Sequence, residues 1–314
     1  MIISKSIISS STNNNLGVEA LAIPSPQRRV LTANQHDTFE TFVTMRTGID
    51  LSKKDADYDA GYTNDKVSFW TGQGQLFESP SGKLLANIDG FDVSKAIRIN
   101  DNLVRQFSRK IFWFRDPITN LLMDEYQGTE VKPIKYDWQV FDYKRGKPVK
   151  VPPHMDQQSN DPGLVPIMPS IVKGVRRVPC QPIIPRYAGP KTLLYQMPLF
   201  IDIETPRGRY QAWEFYDYTI DLADGDDSVV NFHRPPSVTW TRQGSNPPFA
   251  SDGDGVMHFL GHRCDCFEDL PDHMKNLVEQ DYHSFRGPPA DMDEVNELEE
   301  QLKAMSSRAR ASVR

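Results

Sequence analysis

Apolar and aromatic side chains alternate with polar ones along much of the chain from residue 67 onward. This period of two is typical of strands, and the breaks between the runs hold Gly, Pro, Asn and Asp, which favour turns. The predicted strands are Val67–Phe77, Lys83–Asn100, Leu103–Arg115, Val131–Tyr143, Thr192–Glu204, Arg209–Leu222, Ser237–Arg242 and Gly255–Cys266. Closure removes exposed edges from such a series, so we expect a mainly β fold with an antiparallel, barrel-like body of the lipocalin or calycin type.

Three segments have the spacing of amphipathic helices. They are His36–Arg46 near the start, and Leu270–Tyr282 and Asp291–Met305 at the end. We predict that they are peripheral to the barrel. The apolar face of the last helix, which includes Leu298 and Leu302, must pack on the body of the protein or on a second copy, so a homodimer through this helix is the alternative.

The same pattern predicts one folded unit. Residues 1–35 are rich in Ser and Asn and lack periodicity, as a flexible arm would be. Residues 36–314 then form a single β-rich domain, with the C-terminal helices at 270–305. Residues 146–190 hold ten prolines and little alternation, so we expect a long irregular connection there.

Composition narrows the possible partners and compartments. Hydrophobic residues make up 38% of the 314 residues, and the formal net charge is −6. An acidic chain without a basic stripe is not expected to bind nucleic acid. No segment has the apolar length of a membrane span or of a secretory signal, so no membrane association is expected. Three cysteines do not form a disulfide framework, and we therefore predict a cytoplasmic protein.

Both faces of several predicted strands are aromatic or amphipathic, whereas a half-exposed sheet has one polar face. A barrel that encloses a ligand would give this mixed pattern. The alternative is a two-sheet core with solvated tyrosines. On the first hypothesis, the substrate-binding candidates are Trp70, Arg109, Trp113, Trp138, Tyr210, Trp213 and Trp240.

Glu214 is the strongest candidate for a catalytic carboxylate. It lies between Trp213 and Phe215, where desolvation would raise the pKa of a carboxyl group unless a cation paired with it. Arg109 or Arg115 could supply that cation. Tyr216 and Tyr210 share the Glu214 face of the strand and could donate hydrogen bonds to a substrate carbonyl. A purely structural Glu–Arg pair between two strands is the alternative.

The segment from His258 to Cys266 contains two histidines and two cysteines. On a strand, His258 and His262 are separated by roughly 13 Å, too far to share a zinc ion with bonds of about 2 Å. We therefore predict no metal site. Each histidine is expected to make a hydrogen bond, and one of the two, His258 or His262, is the candidate acid or base at the pocket. Nucleotide-binding and Gly-x-Ser-x-Gly motifs are absent from the sequence, so no cofactor is expected.

From Trp70 onward the chain resembles a family of bacterial and fungal proteins known only as a domain of unknown function. The resembling stretches, which keep their order over some 220 residues, are Trp70-Thr-Gly72, Asp89-Gly-Phe-Asp-Val93, Arg115-Asp-Pro-Ile-Thr119, Tyr210-Gln-Ala-Trp-Glu214-Phe and Tyr282-His-Ser-Phe-Arg-Gly-Pro288. The chain has Asn120 where the family pattern has Gly, as in a divergent member. The resemblance implies a mostly β protein and supplies no catalytic residues.

These observations favour a cofactor-independent enzyme that acts on a hydrophobic small molecule, such as a cyclase, isomerase or lyase of secondary metabolism. Catalysis would depend on enclosing the substrate, on proton transfer by Glu214, His258 or His262, and on polarisation of a carbonyl by Tyr216 or Arg109. Two alternatives stay open. One is a carrier that binds such a molecule without chemistry, and the other is a structural protein that assembles through its last helix.

Overall fold

The computed structural model describes residues 38–49, 51, 63–147, 165–175, 177–189, 191–205, 208–223, 226–230, 234–250 and 253–312. The arm predicted at residues 1–35 and the centre of the proline-rich connection lie outside them. In chain order the elements are α1 (Thr38–Thr47), β1 (Thr63–Ser79), β2 (Leu84–Asn100), β3 (Leu103–Arg115), β4 (Glu125–Tyr126), β5 (Thr129–Glu130), β6 (Ile134–Arg145), β7 (Ile167–Lys173), β8 (Arg177–Pro179), β9 (Pro185–Gly189), β10 (Thr192–Thr205), β11 (Gly208–Ala223), β12 (Asp226–Val230), β13 (Ser237–Ser245), β14 (Asp254–Cys264), α2 (Asp272–Asp281) and α3 (Met292–Ser312).

The long strands form one antiparallel sheet that curls into a nearly closed barrel. Ten strands follow one another in the order β7-β6-β3-β2-β1-β14-β13-β11-β10-β8, while β9 pairs with β10 and β12 pairs with β11. The two ends of the sheet meet where the backbones of Ile167 and Ile183 exchange hydrogen bonds of 2.8 and 2.9 Å. The prediction of a mainly β protein with an antiparallel barrel is confirmed.

The proline-rich connection contains more regular structure than its sequence predicts. Its described parts hold β7, which pairs with β6, and the short strands β8 and β9, which both pair with β10. Pro169, Pro179 and Pro185 lie in these strands. Proline has no N–H group to donate to a neighbouring strand. Strands at the margin of a sheet tolerate it, because one of their sides is not paired along its whole length.

Successive residues of each strand point alternately into the barrel and out of it. On β3, Lys110 and Phe112 point inward, whereas Ile111 and Trp113 point outward. The inner and outer side chains belong to separate buried clusters. The large aromatic members of the inner cluster include Trp70, Phe112, Tyr143, Tyr195, Tyr218, Trp240 and Phe259.

The α1 helix lies inside the barrel. Apolar side chains on several sides of it, including Phe39, Phe42 and Met45, are buried in the inner cluster. The ring of Phe42 lies 5.3 Å from that of Tyr143 and 5.5 Å from that of Tyr195, between centroids. The expectation of a peripheral N-terminal helix is therefore wrong, because the inner wall supplies partners for the polar residues of α1 as well as for its apolar ones.

The C-terminal end of α1 is held by side chains of the barrel wall. Arg263 of β14 donates hydrogen bonds to the carbonyl oxygens of Thr44 (2.7 Å) and Met45 (2.8 Å), and the Trp70 indole donates one to the carbonyl of Arg46 (2.9 Å). The last carbonyls of a helix have no partner within the helix and carry partial negative charge. A cation and an indole at this end therefore stabilise α1 within the barrel.

The two later helices lie on the outside of the barrel. Met274 and Val278 of α2 pack on outward-facing aromatic residues of β1–β3, and Val295 of α3 packs against Phe107 and Val140. Farther along α3, Leu302 and Met305 are exposed. The homodimer through this helix stays a prediction. Within the described ranges, no helix is long and apolar enough to cross a membrane.

Replacing Phe42 by alanine tests whether α1 is part of the core. We expect Phe42→Ala to lower the free energy of unfolding by about 3–5 kcal/mol, because it leaves a cavity among packed rings. Phe215→Ala is the matched control, since Phe215 is 44% exposed on the outer face of β11, and it should cost less than about 1 kcal/mol. Urea denaturation measures both. Equal midpoints for the two variants would show that α1 does not contribute to the core.

Candidate active site

A small cavity lies inside the barrel beside α1. Its volume is about 30 Å³, room for about two water molecules. The aromatic part of its wall is formed by Trp70, Phe112, Trp240 and Phe259. The polar side chains that reach it are Arg46, Asp92, Lys110, Tyr216 and Tyr218. Apolar walls with a few convergent polar groups are the usual form of a ligand site.

Three of the buried polar residues form a hydrogen-bonded chain. The Lys110 ammonium donates to the Tyr216 hydroxyl (3.1 Å), and that hydroxyl donates to Glu214 Oε2 (2.9 Å). Glu214 and Tyr216 are two residues apart on β11 and therefore share its inner face, while Lys110 comes from β3. The chain thus connects the cavity wall to a carboxylate that is almost completely buried.

Glu214 also has a cationic partner, which is Arg177 of β8. The Nε atom of Arg177 lies 3.4 Å from Glu214 Oε2, and both side chains are 1% exposed. The predicted partners are wrong, because Arg109 and Arg115 point outward. Arg109 donates to the carbonyls of Asp137, Ser284 and Gly287, and Arg115 pairs with Asp89.

A second buried ion pair joins α1 to the barrel wall. Arg46 donates to Asp92 Oδ2 of β2 at 2.9 Å, and the Lys110 ammonium lies 4.0 Å from the same oxygen. The Arg46 guanidinium also lies over the rings of Trp70 (5.6 Å) and Tyr218 (5.7 Å). The interior at and beside the cavity therefore holds three cationic side chains and two carboxylates. The cations are Arg46, Lys110 and Arg177, and the carboxylates are Asp92 and Glu214.

Burial changes the pKa values of the Lys110 amine and the Tyr216 hydroxyl. Burial lowers the pKa of Lys110 from 10.5 to about 8, and repulsion from Arg177 and Arg46 acts in the same direction, against attraction by Asp92 and Glu214. Burial, with the nearby Glu214, raises the pKa of Tyr216 well above its usual value. At neutral pH, the Tyr216 hydroxyl thus keeps its proton, and a fraction of Lys110 is a free amine.

Four residues singled out in the sequence lie at or beside this cavity, namely Trp70, Glu214, Tyr216 and Trp240. Tyr210 is on the same face of β11 but lies away from the cavity, where the Arg242 guanidinium stacks over its ring at 5.1 Å. Strand parity correctly grouped Tyr210, Glu214 and Tyr216 on one face of β11, because residues two apart share a face.

The other candidates lie on the outer face. His258 and His262 are both exposed on β14, where the inward positions belong to Phe259 and Arg263, and His258 Nδ1 lies 3.0 Å from the Thr241 hydroxyl. The remaining candidates also point outward and therefore do not reach the cavity. They are Arg109, Trp113, Trp138 and Trp213. Parity groups residues by face, but it does not tell which face is the interior.

Four polar residues of this region are not identified by the sequence pattern, namely Arg46, Asp92, Lys110 and Arg177. A usable signal existed for Lys110, because a lysine alternating with Phe112 and Phe114 on one strand face is expected to be buried with them. Nothing local marked Arg177, which lies within the proline-rich connection. In the part of the chain that the structure describes, no group of three or more His, Cys, Asp or Glu residues comes together as a metal site.

No family model matches the chain, and no curated protein matches it. Among solved structures, the chain is similar to Ail, the attachment invasion locus protein of Yersinia pestis, in complex with the heparin analogue sucrose octasulfate. The identity is 12%, the match covers 63% of this chain and 97% of Ail, and the TM-score is 0.19, too low to support any conclusion. The resemblance to the domain of unknown function stays a prediction.

The lowered pKa of Lys110 predicts a pH-dependent stability. A lysine whose pKa is lower in the folded state destabilises the fold while it is charged, and the penalty disappears as pH rises from the folded pKa of about 8 towards the unfolded value of 10.5. We expect wild type to gain about 2 kcal/mol relative to Lys110→Met between roughly pH 7 and pH 10.

The measurement is urea denaturation of both proteins across this range. Lys135→Met is the control, because the Lys135 side chain is 51% exposed, and its difference from wild type should stay constant. A Lys110→Met difference that does not change with pH would contradict the lowered pKa.

Proposed function

We propose that the chain is a cofactor-independent enzyme that transfers protons on a hydrophobic small molecule inside the barrel, as a cyclase, isomerase or lyase of secondary metabolism. The observation that carries the proposal is the hydrogen-bonded chain Lys110–Tyr216–Glu214, which starts at the wall of an aromatic cavity. Groups connected in this way can move a proton between a bound molecule and a buried carboxylate.

Tyr216 is the proposed proton donor to the substrate. Its hydroxyl is in contact with both Lys110 and Glu214, so a proton that it gives to the substrate is replaced from the Lys110 ammonium. The Glu214 carboxylate then accepts, through the Tyr216 hydroxyl, a proton from another position of the substrate. The Arg46 guanidinium stabilises negative charge that develops on a substrate oxygen, since it already occupies the cavity wall.

The position of α1 limits what the site admits. With α1 in place, the cavity of about 30 Å³ accepts only a very small molecule. A larger substrate requires Arg46, the α1 residue that lines the cavity, to move. In the closed arrangement α1 keeps water away from the Lys110–Tyr216–Glu214 chain, which strengthens the electrostatic interactions within it.

The proposed binding mode is that of a lipocalin or calycin, in which the ligand lies on the barrel axis. A barrel of about eight strands holds side chains or one small ligand, and a wider barrel has more interior to fill. In this barrel of ten strands, the inner aromatic residues and α1 occupy that interior. These features support a ligand site at the C-terminal end of α1, beside Arg46.

Location and assembly are part of the same proposal. The three cysteines, Cys180, Cys264 and Cys266, are free thiols, which suits the reducing cytoplasm. Leu302 and Met305 are exposed apolar residues on α3 and support the homodimer through that helix. A non-catalytic carrier is the alternative function: the aromatic walls would serve it equally, whereas the proton-transfer chain favours the enzyme.

Proton transfer can be tested with acetone, the smallest ketone, in deuterated water. We expect wild type to catalyse deuterium incorporation into the methyl groups, followed by NMR, and Tyr216→Phe to reduce the catalysed rate by about 10²-fold or more, because the proton donor is lost. Tyr282→Phe is the matched control, as Tyr282 packs against Trp113 on the outside of the barrel, and it should keep the wild-type rate.

Circular dichroism checks that each variant is folded. Acetone binding without deuterium incorporation by wild type would favour the carrier. Equal rates in wild type and Tyr216→Phe would remove Tyr216 from the mechanism.

A further inference from the structure

Lys110 differs from an ordinary structural lysine in how it is paired. Its ammonium is buried, yet its nearest carboxylate oxygen, on Asp92, is 4.0 Å away and already accepts a hydrogen bond from Arg46 at 2.9 Å. The hydrogen bond that Lys110 does make is to a neutral group, the Tyr216 hydroxyl. Buried charges are normally held in close, fully hydrogen-bonded pairs. As a cation, Lys110 therefore lacks a close carboxylate partner, and its other contacts are with the rings of Tyr216 (5.0 Å) and Phe112 (5.9 Å).

The groups around the amine explain this arrangement. Arg46 of α1 and Arg177 of β8 repel its positive charge, while Asp92 of β2 and Glu214 of β11 attract it. Burial is the largest contribution, and together these influences lower the pKa of Lys110 to about 8. A desolvated lysine beside other cations is the form in which an amine acts as a nucleophile towards carbonyl carbon.

A second, independent feature lies in the same cavity wall. The Trp240 Nε1–H group is buried and has no hydrogen-bond acceptor within the described ranges. A buried donor without an acceptor costs free energy, which a ligand oxygen would recover. The cavity thus combines an amine nucleophile, Lys110, with the unpaired Trp240 N–H donor and with the Tyr216 hydroxyl, whose single proton is donated to Glu214 here and would turn to a ligand oxygen.

We infer that Lys110 forms an imine with a small aldehyde or ketone, which makes carbonyl compounds the substrate class of the site. This inference rests on the proposed function, since the same cavity and the same proton donor are used. The requirements for the ligand are an electrophilic carbon within reach of the Lys110 nitrogen and an oxygen that accepts hydrogen bonds from Tyr216 and Trp240.

Imine formation needs no reactant besides the Lys110 amine and the carbonyl compound, and it releases one water molecule. The neutral Lys110 nitrogen attacks the carbonyl carbon, a C–N bond forms, and the oxygen takes a proton from the Tyr216 hydroxyl, which is restored by a proton from the nitrogen. The resulting carbinolamine then loses its hydroxyl group with the second nitrogen proton as water, and a C=N bond forms. Tyr216 and Glu214 move both protons.

Reductive trapping with acetaldehyde and cyanoborohydride at neutral pH tests this step. Reduction of the imine leaves an ethyl group on the lysine, which peptide mass spectrometry locates. An amine with a pKa of about 8 has a neutral fraction roughly two orders of magnitude above that of a free lysine. Allowing for restricted access, we expect Lys110 to be ethylated at least about tenfold faster than Lys135, which is half-exposed.

Three controls make the result specific. Lys110→Arg keeps the positive charge and removes the nucleophile, so labelling at this position should disappear while Lys135 is labelled as before. Tyr216→Phe should slow labelling of Lys110, because the oxygen loses its proton donor. In urea-unfolded protein, Lys110 and Lys135 should react at equal rates. Labelling of Lys110 in the native protein no faster than Lys135 would overturn the inference.

The outcome is separable from that of the acetone experiment. Deuterium incorporation without ethylation of Lys110 leaves proton transfer standing and overturns the imine. Ethylation of Lys110 without deuterium incorporation supports a carbonyl-binding site and removes the proposed proton transfer. If neither deuterium incorporation nor faster ethylation of Lys110 is observed, the cavity is not a site for carbonyl compounds.

Discussion

The ion pair between Arg46 and Asp92 joins the helix inside the barrel to the barrel wall, and the chemistry of the interior depends on it. Arg46 donates a hydrogen bond to the Asp92 oxygen that lies 4.0 Å from the Lys110 ammonium. Arg46 also repels the Lys110 ammonium, so without this guanidinium the pKa of the amine would rise towards its usual value. Docking of α1 and the reactivity of Lys110 are therefore two consequences of the same contact.

The position of α1 also accounts for how the barrel interior is filled. A barrel of ten strands has a wide interior, and α1 together with the rings of Tyr143, Tyr195 and Tyr218 occupies much of it. The hydrogen bonds from Arg263 and Trp70 fix the C-terminal end of the helix against the wall. A helix held by polar contacts can leave a water-sized cavity at its end, whereas a purely apolar core tends to close such voids.

Much of the fold follows from local pattern. The period of two predicts the long strands, and residues two apart share a face, so the grouping of Glu214 with Tyr216 and of Lys110 with Phe112 is contained in the sequence. Local pattern does not reveal the pairing across the barrel. Arg177 reaches Glu214 from a proline-containing strand at the sheet margin, and Arg46 reaches Asp92 from a helix whose sequence resembles that of a surface helix.

The sequence by itself determined the β class, the antiparallel strands and which side chains share each strand face, because these depend on the short-range geometry of the backbone. Tertiary structure alone decided which face became the interior. That choice placed His258, His262 and Arg109 outside and Lys110 inside. Barrel closure and the insertion of α1 join residues far apart in the chain, and neither alternation nor spacing carries information about contacts over such separations.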